Sequence, residues 1–163
     1  MKAGLITGIT LALAGFASGS TALAQPSGLG SDVGNAAQKA QKQATSFEDD
    51  LTQEIAKLGD VSSSDTSKLK DAVAGYLHQG GTPQGARDVT NQSVNDGCKG
   101  ICLVEAIRGL STAMSHGQSQ GQALQTVKNS LTAENQKASG KKQSLSARAR
   151  QLHNEIATRL QGT

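Results

Sequence analysis

The sequence predicts an all-α fold, an irregular helical bundle of about five to six helices opened by a long N-terminal amphipathic helix. Three observations predict it. Apolar residues recur at spacings of three and four in one segment after another. No stretch alternates apolar and polar residues as a half-buried strand would. The periodic segments are separated by glycines and by Ser, Thr and Asp residues that stop one helix and cap the next.

Residues 1–24 are set apart from that fold. Lys2 precedes an apolar run from Leu5 to Phe16, and Ala22-Leu23-Ala24 offers a small-residue cleavage site before Gln25. This is the pattern of a secretory signal peptide, and the run is too short to span a bilayer comfortably. The expected mature chain therefore begins at Gln25, is periplasmic or secreted, and has no transmembrane segment after signal cleavage. Residues 25–31 are expected to form a flexible leader, and residues 32–163 a single helical domain.

The first helix carries Ala36, Ala40, Ala44, Phe47, Leu51, Ile55 and Leu58 on one stripe and ends at Gly59. Glu48, Asp49 and Asp50 sit among Lys and Gln residues and look like a solvated face rather than a catalytic acid cluster. After the polar loop that follows, a second helix is expected from about Thr66 to Gln79, with Leu69, Val73, Tyr76 and Leu77 inward. Thr82-Pro83 marks an N-cap followed by proline at the first helical position. The helix it opens, to about Asn95, offers only Ala86, Val89 and Val94 for burial and is expected to be peripheral and mobile.

The segment from Cys98 to Ser115 is the expected centre. Leu103, Ile107, Leu110 and Met114 form a large apolar stripe, and Cys102, Ala106, Gly109 and Ala113 form a small one beside it. Two adjacent buried faces predict a helix wrapped by neighbours, one of them approaching closely. A helix from Ser119 to Ala138 turns Leu124, Val127, Leu131 and Ala138 inward. The last, capped by Ser144, does so with Leu145, Ala149, Leu152, Ile156 and Leu160. "DAVAGYL" at 71–77 faintly echoes "EAIRGLS" at 105–111, which hints at two helix–turn–helix units without a standard repeat signature.

Cys98 and Cys102 are the only cysteines. Export to an oxidising compartment favours a disulfide. Residues four apart on a regular helix hold their Cβ atoms about 5–6 Å apart, whereas a disulfide needs about 3.5–4.5 Å. The bond thus requires Cys98 to leave helical geometry, which Gly97 and Gly100 permit. The alternative is a soft-metal clip, with Met114 or His116 further along, or a redox pair; neither a local third ligand nor a C-x-x-C spacing supports it.

Charge narrows the partners. Residues 25–120 carry eight Lys/Arg against eleven Asp/Glu, while residues 121–163 carry seven against two. The basic end makes Lys141, Lys142, Arg148 and Arg150 candidates for contact with an anionic envelope surface. Nucleic acid is not expected, because the chain is exported and its mature part holds only Phe47 and Tyr76 for stacking. His78 and His116 fall at helix ends, His153 on the surface of the last helix, and no nucleophile elbow, H-E-x-x-H or phosphate loop is present. No catalytic residue, metal site or cofactor is therefore expected. The function expected is non-enzymatic binding of another protein or of a second copy, as an envelope adaptor, chaperone-like factor or assembly component. The soft-metal or redox role of Cys98 and Cys102 is the alternative.

Overall fold

The computed structural model describes residues 29–162, with side chains from residue 36 onward. The predicted signal peptide and the first part of the leader lie outside the described residues. Six helices follow in order: α1 (Leu29–Leu58), α2 (Ser63–His78), α3 (Pro83–Asn95), α4 (Ile101–Ser115), α5 (Gln120–Ala138) and α6 (Leu145–Gln161). Among the described residues there is no strand. The fold is all-α. Residues 29–31 of the predicted leader already belong to α1, and α2 starts three residues before Thr66, capped by the backbone at Ser62.

The stops of α2, α3 and α4 share one mechanism. At the end of α2, Gly80 N–H donates to Leu77 O and Gly81 N–H to Tyr76 O. At the end of α3, Gly97 N–H donates to Val94 O and Cys98 N–H to Ser93 O. At the end of α4, Gly117 N–H donates to Met114 O and Gln118 N–H to Ala113 O. Each is a Schellman stop, which satisfies carbonyls the helix would otherwise strand. The starts are equally regular. Thr82 Oγ1 accepts from Gly85 N–H, Ser144 Oγ from Ala147 N–H, and Ser119 and Gln122 form a reciprocal capping box. The echo between 71–77 and 105–111 thus falls on α2 and α4, each followed by the same stop and a Ser or Thr cap, and the two helices pack against each other.

α4 packs against α2, α3, α5 and α6. Leu103, Val104, Ile107 and Leu110 on its large faces are fully buried, as are Cys102, Ala106, Gly109 and Ala113 on its small one. The small face admits α6 closely: a Cβ on Gly109 would lie 2.5 Å from Ile156 Cδ1 and 3.3 Å from Val127 Cγ2. The predicted small stripe is therefore buried throughout, and the large one is buried except at Met114, which is half-buried against the core.

The expectation of a peripheral α3 is overturned. α3 packs on α1, α4 and α5, and it buries Thr90 and Ser93 as well as Ala86 and Val89. Thr90 Oγ1 donates to Ala86 O at 2.8 Å, so this polar residue enters the core with its hydrogen bond made. Counting only aliphatic residues underestimated the buried face.

The α5–α6 side is closed by charge. Glu155 of α6 accepts from Lys137 Nζ of α5 at 2.6 Å and from Arg159 at 3.1 Å. The Lys137 hydrogen bond, with support from Arg159, holds the Glu155 carboxyl below its ordinary 4.5. A carboxyl lowered in the folded state stabilises the fold above its unfolded pKa, and that contribution is lost as pH falls through the folded one. The urea midpoint is therefore expected to fall between about pH 5 and pH 3, and Glu155→Gln is expected to flatten that slope. An unchanged slope in the variant would show that Glu155 does not carry it.

Candidate interaction surface

The first candidate is the N-terminal half of α1. Leu51, Thr52 and Ile55 are buried and seat α1 on α2 and α3. His78 of α2 meets Glu48 at 3.2 Å and Lys70 meets Asp49 at 2.7 Å, the ion pairs nearest the N-terminus among the described residues of the helix. N-terminal to them, every side chain from residue 36 to residue 46 is exposed. At about 1.5 Å per residue, that stretch reaches about 16 Å beyond the bundle. Phe47 at its base is 48% exposed.

The predicted inward stripe of α1 is thus corrected. Of its seven residues only Leu51 and Ile55 are buried; Ala36, Ala40, Ala44, Phe47 and Leu58 are exposed. Periodicity reports which residues share a face. It does not report where the opposing surface ends, and here that surface ends near Glu48.

The second candidate is the α3–α4 corner, where the cysteines lie. Cys98 and Cys102 form a disulfide with their Cα atoms 5.1 Å apart, and both residues are fully buried. Cys98 lies just past the Schellman stop of α3 and Cys102 in the first turn of α4, so Cys98 has left helical geometry as the bond requires. Gly97 (φ 70°) and Gly100 (φ 57°) make the two left-handed steps. Gly100 N–H also donates to Gly59 O at 2.7 Å, which ties this corner to the α1–α2 turn. Closing so short a loop removes little chain entropy. Cys98→Ala/Cys102→Ala is expected to cost about 2 kcal/mol in urea unfolding and to leave a folded helical protein. A double variant that did not fold would show the staple to be essential.

Against the same corner lies a pair that the sequence reading missed. Arg148 of α6 donates from Nε and Nη2 to both carboxylate oxygens of Glu134 on α5, at 2.8 and 2.6 Å. Its remaining donors reach Gly97 O at 2.8 Å and Asp96 O at 3.0 Å, the carbonyls at the end of α3. The Glu134 side chain is wholly buried and that of Arg148 is 12% exposed. The hydrogen bond to Glu134, above all, raises the guanidinium pKa further. Spacing carried a signal for both: Glu134 continues the Val127–Leu131 stripe, and Arg148 sits one turn before Leu152.

Arg148 is consequently not a contact for an anionic surface, because each of its three nitrogens donates to a partner within the protein. Lys141, Lys142 and Arg150, the other predicted contacts, are exposed. Arg150 borders a groove of about 390 Å³ between α4 and α6, floored by Ile101 and Ala149. His153 Nδ1 lies 2.7 Å from Glu105 Oε1 across it, which makes His153 a surface residue with a partner from α4. His78 and His116 occupy the ends of α2 and α4 as expected. Among the described residues no cluster of His, Cys, Asp and Glu is arranged to hold a metal ion, and no helix is long and apolar enough to cross a membrane.

Comparison with family models, with curated proteins and with solved structures gave no match. Function is therefore argued from the surface of this chain alone.

Proposed function

We propose that the protein is an exported, non-enzymatic binding protein that presents the N-terminal arm of α1 to another macromolecule. One observation carries the reading: an unbroken run of exposed side chains, 36–46, leads into a half-exposed Phe47, while the rear of α1 closes with α2 to α6 on one core. An amphipathic helix with a shallow apolar stripe completes its burial against a partner surface. The role of an envelope adaptor, chaperone-like factor or assembly component fits a rigid bundle with such an arm. Export rests on the pattern of residues 1–24.

The soft-metal or redox reading of Cys98 and Cys102 draws no support from the geometry. The two sulfurs are bonded to each other and buried, so neither offers a thiolate or access to one.

The test is photocrosslinking in the producing cell, with a photoreactive residue at Ala40 or Gln43 and a control at exposed Thr132 on α5. The expected result is a discrete adduct from the arm and none from Thr132. An arm that gives no adduct would overturn the proposal.

A further inference from the structure

We infer that the groove between α4 and α6 is a binding site for a small organic acid, its apolar body lying on Ile101 and Ala149 and its carboxylate on Arg150. The site shares no residue with the arm of α1 and does not depend on it.

The partners of the arginines mark the site. Arg87, Arg108, Arg148 and Arg159 each pair with a carboxylate of their own chain, those of Glu54, Glu105, Glu134 and Glu155. Arg150 is the remaining arginine of the sequence, and it makes no ion pair among the described residues. Its hydrogen bond runs from Nε to Ser146 O of its own helix, at 3.4 Å. The two terminal nitrogens, the fork that matches a carboxylate, are left without a partner. Glu105 lines the same groove, but it is already taken. Its Oε1 lies 2.7 Å from His153 Nδ1, and its Oε2 accepts from Arg108 Nη1 at 3.0 Å.

Shape selects the class of ligand. The groove holds about 390 Å³, within the roughly 300–1,000 Å³ of small-molecule pockets, which join an apolar lining to a few polar groups. Ala149 belongs to the core and Ile101 packs against it, so the bundle itself fixes the floor. The α6 wall runs from Ser146 to Asn154, about 12 Å along the helix. A stable protein partner engages about 20–30 residues on each side, whereas seven residues line this groove. One guanidinium balances one negative charge, which favours a carboxylate over a phosphate dianion beside Glu105. Lys42 also borders a concavity, on α1, but every side chain lining that one is polar, and Asp49 and Asp50 are among them. It offers an acid no apolar floor.

NMR titration of the protein with octanoate tests the site, with octanol and octyl phosphate as probes that carry the same tail. Octanoate is expected to shift the amides of Ile101, Glu105, Ala149 and Arg150 saturably, half-saturating at about 1 mM or below. Arg150→Gln is expected to weaken octanoate at least about tenfold and to leave octanol unchanged. Ile101→Ser is expected to weaken all three probes alike, because it removes the apolar floor they share. Arg150 is exposed, so its variant is expected to keep the rest of the spectrum. No saturation below about 10 mM, shifts centred away from the groove, or octanoate bound by Arg150→Gln as by the parent would each overturn the inference. Octyl phosphate bound more tightly than octanoate would overturn the assignment of a carboxylate.

Discussion

Arg148→Ala is expected to destabilise the protein by about 3–5 kcal/mol, the usual cost of removing one partner from a buried ion pair. The geometry puts the site in that class. Both oxygens of Glu134 accept from the guanidinium, and the carboxylate has no exposed surface. Without Arg148, Glu134 must either remain ionised in a dry site or take up a proton to avoid it, and both oppose folding. The same substitution releases the carbonyls of Asp96 and Gly97 at the negative end of α3. The double variant Glu134→Leu/Arg148→Met separates the two effects. Replacing the whole pair by apolar side chains is expected to be close to neutral or stabilising, apart from the lost α3 carbonyl bonds. Urea unfolding of the two singles and the double gives the coupling directly. A single variant within about 0.5 kcal/mol of the parent would show the pair to be peripheral.

Ile107→Ala is expected to cost about 2–5 kcal/mol. Ile107 is wholly buried on α4, at the centre of the helix that four others cover. Removing most of its side chain opens a cavity that α2, α5 and α6, held by their own contacts, cannot all close. Leu145→Ala serves as the control. Leu145 belongs to the apolar stripe of α6 by spacing but is 41% exposed, and its truncation is expected to cost well under about 1 kcal/mol. Equal losses at the two positions would mean that α4 is no more central than the end of α6.

The helical core was legible in the sequence because α4 carries two complete stripes, and each needs its own neighbour. Cys98 was legible for a related reason: a bond to Cys102 is incompatible with a continuous helix, so the corner followed from covalent geometry. Three features were not legible in this way. The front of α1 has the same period as its rear, but nothing local to Ala36 or Phe47 records that α2 and α3 have already ended. Thr90 and Ser93 of α3 are polar, and Thr90 reaches the core by bonding within its own helix, so hydrophobicity alone passes over them. Glu134 and Arg148 occupy core-facing positions on separate helices. Each read alone is a surface charge, and only the folding of α5 against α6 makes them a pair. The arm and the buried pair thus emerge only from the packing of helices distant in sequence, whereas the histidines fell where helix ends and an exposed face had put them.

Amide hydrogen exchange of the protein, read residue by residue, tests the division between a closed bundle and an open arm most directly. The slowest amides are expected in α4, from Leu103 to Ala113, exchanging only on global unfolding. Amides of residues 36–46, with no bundle over them, are expected to exchange fast. An α4 that exchanges as readily as the arm, or an arm as protected as α4, would contradict the account.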